Sequence, residues 1–293
     1  MEQPHTCGAY AEWGWNILRL TKPRVGLLVL FATAVGFCMG SVQGVNWRRL
    51  AFALFGTALV SGGAAVLNQI LEMRWDQLMT RTCNRPLPTD RVAWSEALAL
   101  GVGMTLAGLA GLALQTTALA TCAAALALVV YLAAYTPMKR RSSACVLVGA
   151  IAGALPPVIG WAAVDGSLRW ETGILFSVLF AWQIPHLAAI AWMHRKDYAN
   201  AGFVLLSADA NGQSTALKAL AFAGVLTGVT LLPFFMGTAG MVYLMGTLLL
   251  DSVLLASAGL FLLMRSEEAA RRLFVASIIY LPVLLGLMLV ARK

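Results

Sequence analysis

The chain has 293 residues, of which 60% are hydrophobic and only 12% charged, with a formal net charge of +8. An average soluble domain is about 25% charged, so these charges cannot cover two globular surfaces, and the composition also excludes disorder, collagen and a disulfide scaffold. What remains is an all-α polytopic membrane protein, because a spanning helix needs about 20 apolar residues and this chain supplies many.

In a soluble protein the basic balance would suggest nucleic acid. Here the cations sit in loops between apolar runs, so topology explains them and no nucleic-acid partner is expected. The cysteines, Cys7, Cys38, Cys83, Cys122 and Cys145, form no CxxC pair and are odd in number, which argues against a metal or disulfide framework. The first 24 residues contain charges and no apolar h-region. No cleaved signal peptide is therefore expected, and the first apolar run serves as its own signal. With no leader of the transit-peptide type, a bacterial inner membrane is the expected location.

Apolar runs of helix length fall at 25–42, 50–71, 92–114, 117–135, 145–164, 173–193, 215–236, 239–264 and 272–290. These nine runs predict one membrane domain over 1–293. With alternate loops assigned to alternate sides, the N-terminal side holds Arg19, Lys22, Arg24, Arg74, Arg81, Arg85, Arg91, Lys139, Arg140, Arg141, Arg195, Lys196, Lys218, Arg265, Arg271 and Arg272. The other side holds Arg48, Arg49, Arg169, Arg292 and Lys293. This sixteen-to-five bias predicts a cytoplasmic N-terminus and an external C-terminus. Glu72, Asp76, Asp90, Asp197 and Asp209 share the basic side, against Asp165 and Glu171 on the other. Acids carry little topological force, so their asymmetry points to a functional face.

At the inner end of the second run, Asn68, Glu72 and Asp76 sit at i, i+4 and i+8. On a helix they share one face, with a rise of about 12 Å. Oxygen ligands in this arrangement suit Mg²⁺, which keeps several waters and binds substrate phosphates beside one or two carboxylates. Arg81 and Arg85 follow, and Pro86 and Pro88 restrict the loop. Carboxylates for a metal beside arginines for phosphate oxygens read as a diphosphate site; the plain alternative is a solvated helix end.

The fourth run ends in Lys139, Arg140 and Arg141. Membrane anchoring accounts for all three, and a functional role rests on their sharing a side with the acids. In the fifth run, Pro156 and Pro157 break the helix, either as a structural kink or where backbone lines a cavity. Gln183 and His186, three apart in the sixth run, are expected on one face. A buried neutral histidine is the plain reading. An intramembrane ionisable group is also a functional candidate, able to ligate a metal such as haem iron or to move a proton. Asp197 follows this run as Asp76 follows the second, which hints at a pseudo-repeat. Asp251, alone in the eighth run, is expected to hydrogen-bond within the bundle.

Six stretches follow one another in order between residues 20 and 205. They are Leu20-Thr21-Lys22-Pro23-Arg24; Asn68, Glu72 and Asp76 with Met79-Thr80-Arg81-Thr82 and Arg85-Pro86-Leu87; Tyr135-Thr136-Pro137-Met138-Lys139-Arg140; Gly153-Ala154-x-Pro156-Pro157 with Gly160-Trp161; Trp182-Gln183-x-Pro185-His186; and Asp197-Tyr198 with Ala201-Gly202. Together they resemble the UbiA-type intramembrane prenyltransferases, most of all the branch that farnesylates haem. The last three runs match only in being apolar.

The resemblance implies a nine-helix bundle around a central cavity open to lipid. It implies transfer of a farnesyl group from farnesyl diphosphate to a vinyl group of haem B, with water addition and diphosphate release, giving haem O. Asn68, Glu72 and Asp76 would hold Mg²⁺, with Asp197 in a second acidic site. Arg81, Arg85, Lys139 and Arg140 would bind diphosphate oxygens, Lys196 could join them, and His186 would face the porphyrin. Partners would be the two substrates, membrane lipid and, downstream, haem A synthase or oxidase assembly factors. The sequence departs from the family pattern at Glu72, where Asp is common, and at Arg74, where many relatives carry another Asp. Met193 and Ala201 flank Asp197 where a paired carboxylate would stand, so a second full Mg²⁺ site is not expected. Cys145 replaces a frequent Asn and is given no role. Two other readings are a quinone or other aromatic acceptor in place of haem, and a transporter.

Overall fold

The computed structural model describes residues 6–204 and 211–291, with side chains from residue 12 onward. Asp209, Arg292 and Lys293, counted above, lie outside the described residues, as does the side chain of Cys7. The described helices are α1 (Thr6–Leu20), α2 (Pro23–Gly40), α3 (Trp47–Asp76), α4 (Trp94–Gln115), α5 (Ala118–Val129), a π-helical segment (Val130–Tyr135), α6 (Thr136–Met138), α7 (Cys145–Ala154), α8 (Pro156–Asp165), α9 (Trp170–Met193), α10 (Arg195–Asn200), α11 (Gln213–Phe235), α12 (Met241–Met264) and α13 (Glu267–Val290).

Nine stretches among the described residues are long and apolar enough to cross a membrane: α2, α3, α4, 118–138, 145–165, α9, α11, α12 and α13. They coincide with the nine expected runs, with ends shifted by a few residues. The shifts have local causes. Pro23 starts α2, and the Asn46 side chain accepts from Arg49 N to start α3 earlier than hydropathy suggests. α3 then continues to Asp76, past its apolar part, because its last turns are buried. α1 precedes the first span and has charges along its length, so hydropathy does not mark it.

Two spans are irregular. The fourth passes from α5 through the π-helical segment into α6, where Thr136 Oγ1 donates to Tyr131 O at 2.8 Å. Such insertions are frequent at functional sites. The fifth breaks at Leu155, between α7 and α8, where the two prolines supply no N–H.

Helices in lipid gain little from hydrophobic burial against each other, so close packing of small residues holds them. α8 lies against α2, and a Cβ on Gly36 would overlap Pro157 O while one on Gly160 would overlap Thr33 O. α3 packs on α4 in the same way: a Cβ on Gly108 would meet Gly56 O at 2.7 Å. The proline break thus has both expected roles: Gly160 packs on α2, while Gly153 and Pro156 line a cavity.

That cavity, about 350 Å³, lies among α2, α3, α5, the π-helical segment, α7, α8 and α9. α11, α12 and α13 do not line it. Asp251 instead joins these three helices: its buried carboxylate accepts from Thr230 Oγ1 at 2.9 Å and Tyr280 OH at 2.5 Å. The structural reading of Asp251 holds.

Candidate active site

The last turns of α3 carry Asn68, Glu72 and Asp76, all buried. Their spacing puts them in one row, as the sequence predicts. Each is bonded to a group from another part of the chain. Lys139 Nζ donates to Glu72 Oε1 at 2.7 Å, and Arg85 Nη1 donates to Asp76 Oδ2 at 2.6 Å. Asn68 Nδ2 donates to Thr136 Oγ1 at 3.0 Å, while its Oδ1 accepts from Lys22 Nζ at 3.4 Å. The loop 77–93 folds back on α3 because Thr82 Oγ1 donates to Asp76 O at 2.8 Å. That return brings Arg85 within reach of the carboxylate.

Lys22, between α1 and α2, has left-handed backbone with φ of 52°. Such strain in a non-glycine residue concentrates at ligand and active sites. Burial, and then the neighbouring Arg85 and Lys139 cations, push its amine down to about 7. Three basic side chains thus gather beside two carboxylates in a region sheltered from water. A bound anion would favour the charged form of Lys22, so the site suits one. One carboxylate oxygen, Asp76 Oδ1, is buried with no hydrogen-bond partner among the described residues. A lone pair left so is costly, and a divalent cation would complete it. Asn68, Glu72 and Asp76 are hard oxygen donors of the kind Mg²⁺ takes.

The remaining predicted residues divide. Asp197, on α10, reaches the same end of the bundle, where both its oxygens accept from Thr80 Oγ1 at 2.7 and 2.8 Å. That hydroxyl holds its carboxyl below the usual range. Among the described residues no three His, Cys, Asp or Glu side chains gather as a metal cluster. Asp197 is thus not gathered with Glu72 and Asp76 into one close set, and its carboxylate is bonded to Thr80. Arg81 is exposed and donates to Tyr198 OH at 3.3 Å. Arg140 is exposed and lies over the Trp75 ring at 4.8 Å. Lys196 is exposed on α10.

His186 departs from expectation. It does not line the cavity, although Gln183 and Leu187 do. Its Nδ1 lies 2.8 Å from Ser277 Oγ on α13, and its ring stacks between Trp182 and Phe274. Residues three apart on a helix differ by about 60° in direction. That is enough to put Gln183 on the cavity wall and His186 on the α13 interface.

Sequence reading did not nominate Lys22, Thr136 or Thr80. All three lie inside stretches that carry the family resemblance. Thr80 precedes Arg81 in the loop, with no spacing that links it to Asp197.

An apolar cavity begins where this ionic cluster ends, and Lys22 belongs to both. Such a site can hold an anionic head and an apolar tail together. Residues 29–280 match the UbiA prenyltransferase family. The chain is 42% identical to the protoheme IX farnesyltransferase of Solibacter usitatus, an alignment covering 94% of this chain and 98% of the relative. Its fold is similar to that of a digeranylgeranylglyceryl phosphate synthase, with TM-score 0.78 and 17% identity over 96% of this chain and 98% of the other. It is also similar to a UbiA homologue from Archaeoglobus fulgidus bound to GPP and Mg²⁺, with TM-score 0.66 and 16% identity over 93% and 99%. The nine-span bundle, the ionic row on α3 and these matches agree: the chain belongs to the UbiA prenyltransferase family.

Proposed function

We propose that this protein moves the farnesyl group of farnesyl diphosphate onto a vinyl group of haem B, with addition of water and release of diphosphate, to give haem O. The observation that carries the reading is the junction at Lys22 between a buried ionic cluster and an apolar cavity. A prenyl diphosphate has the same two parts. Haem as acceptor comes from the likeness to relatives named protoheme IX farnesyltransferase. Both substrates dissolve in membrane, which suits an enzyme built almost wholly of spans.

Asn68, Glu72 and Asp76 would hold Mg²⁺. The unpartnered Asp76 Oδ1 supports this, as does the Mg²⁺ bound in the Archaeoglobus fulgidus homologue. When bound, the ion neutralises charge that collects on diphosphate oxygens as the allylic C–O bond breaks. Lys22, Arg85 and Lys139 would supply N–H donors to the same oxygens, and such donors count for most where water is scarce. The apolar wall keeps water from the allylic cation. Arg81, Arg140 and Lys196, at the exposed mouth, raise the local concentration of diphosphate through long-range attraction. Asp197 anchors the 77–93 loop through Thr80. His186 carries no step in this reading.

The excess of basic residues at the site end supports a cytoplasmic position for that end, and the bacterial relatives support an inner membrane. The product carries a farnesyl chain that holds it in lipid, so hand-over to haem A synthase or an oxidase assembly factor would occur within the membrane.

The test is mass analysis of haem from membranes containing the protein, incubated with haem B, farnesyl diphosphate and Mg²⁺. Haem should gain one farnesyl group and one water. Unchanged haem together with a prenylated quinone would move the acceptor to an aromatic ring. No prenylated product of either kind would reject the reaction.

A further inference from the structure

Gln183 takes part in none of the ionic contacts above, yet it lines the cavity from α9. Its amide is locked in one orientation. Nε2 donates to Leu179 O at 2.9 Å and to Ala150 O at 3.3 Å, which uses both hydrogens. Oε1 therefore points the other way, into space left open at Gly153, where a Cβ would overlap it. The result is a carbonyl acceptor, with no protein donor among the described residues, on a wall otherwise rich in Ala, Val, Leu and Gly.

Its depth is informative. Gln183 is ten residues from Met193 at the end of α9, or about 15 Å along the axis. Asn68 is eight residues from the end of α3, or about 12 Å. Contacts join Gln183 to the ionic head of the cavity: its amide bonds to Ala150 O, the adjacent Gly149 lies against the Tyr135 ring, and Lys139 Nζ lies 4.5 Å from the centre of that ring. Tyr131 and Tyr135 line that same end.

We propose that Gln183 is the positioning residue for the water that adds to haem. This inference rests on the reaction proposed above. In that reaction the farnesyl C1–O bond breaks and its electron pair leaves on diphosphate. C1 bonds to the terminal vinyl carbon, and the inner vinyl carbon becomes cationic. A water oxygen then bonds to that carbon, and one of its protons passes to the released diphosphate. Without a held water the same cation loses a proton from the adjacent methylene. The product is then an alkene one water lighter than haem O. A locked carboxamide oxygen accepts a hydrogen bond from water and so aims the water's lone pair. It is too weak a base to take the proton itself.

The experiment compares haem products by mass for the full-length protein and for Gln183→Leu, Gly153→Ala and Gln183→Glu, with haem B, farnesyl diphosphate and Mg²⁺. Gln183→Leu removes the acceptor, and Gly153→Ala displaces it without changing the amide. In both, the alkene-to-haem O ratio should rise by about tenfold or more, the scale of one lost hydrogen bond. The ratio is read within one reaction, so it does not depend on how tightly farnesyl diphosphate binds. Gln183→Glu, whose protonated carboxyl keeps one donor and one acceptor, should restore haem O. Haem O as the only product of Gln183→Leu overturns the proposal, as does loss of all farnesylated haem in both Gln183→Leu and Gly153→Ala. Failure of the unmodified protein to farnesylate haem rejects the underlying reaction, and this role with it.

Discussion

Lys139 and Glu72 are 67 residues apart in sequence, yet Lys139 Nζ meets Glu72 Oε1 at 2.7 Å, with 13% and 7% of the two side chains exposed. Removing one member of a buried pair leaves an uncompensated charge, at a cost of about 3–5 kcal/mol. Lys139→Met should therefore lower the thermal midpoint in detergent. It should also reduce haem O formation by about a hundredfold, the scale of losing one donor to a developing anion. The double variant Lys139→Met/Glu72→Met should recover stability without recovering turnover. Recovery of both would make the pair merely structural.

Asp76 separates charge from hydrogen bonding. Asp76→Asn keeps an acceptor for Arg85 but loses the charge that a divalent cation needs. Turnover should fall by about a hundredfold or more, and the Mg²⁺ concentration giving half-maximal rate should rise. A calorimetric Mg²⁺ titration with inorganic pyrophosphate present measures the same loss without turnover. Unchanged Mg²⁺ dependence would remove Asp76 from the metal set.

Glycine at 160 is required by packing. A Cβ there would overlap the Thr33 carbonyl, which is backbone and cannot swing aside. Gly160→Ala should cost about 1–3 kcal/mol, the usual range for overpacking, read as a lower thermal midpoint. Gly26→Ala is the control, since nothing lies within 4 Å of a Cβ there, and its midpoint should not fall, because alanine is the better helix former.

The Thr80–Asp197 contact predicts a pH effect outside the membrane. The Thr80 hydroxyl depresses the Asp197 carboxyl in the folded state. For a lowered acid, the contribution is present above the unfolded value and lost as pH falls through the folded one. Amide protection in the 77–93 loop, taken relative to the intrinsic exchange rate at each pH, should thus fall only as pH drops below the ordinary carboxylate range. Thr80→Val should bring the same loss already at neutral pH. Identical exchange in both proteins at neutral pH would show that the contact does not order the loop.

Sequence by itself determined the class and the count of spans. Hydropathy over 18 or more residues is a local property, and lipid demands it of each span separately. It also placed Asn68, Glu72 and Asp76 in one row, because i, i+4 and i+8 are neighbours on any helix. Arg85 was legible for a similar reason, since the short stretch 77–84 returns it to Asp76 nine residues back. Only the tertiary structure decided which cation meets which acid. Lys22 reaches Asn68 across 46 residues and Thr80 reaches Asp197 across 117, and no periodicity extends so far. It also decided between near neighbours on α9. A difference of about 60° around a helix sent Gln183 to the cavity and His186 to Ser277, because which wall a residue meets depends on where the other helices stand.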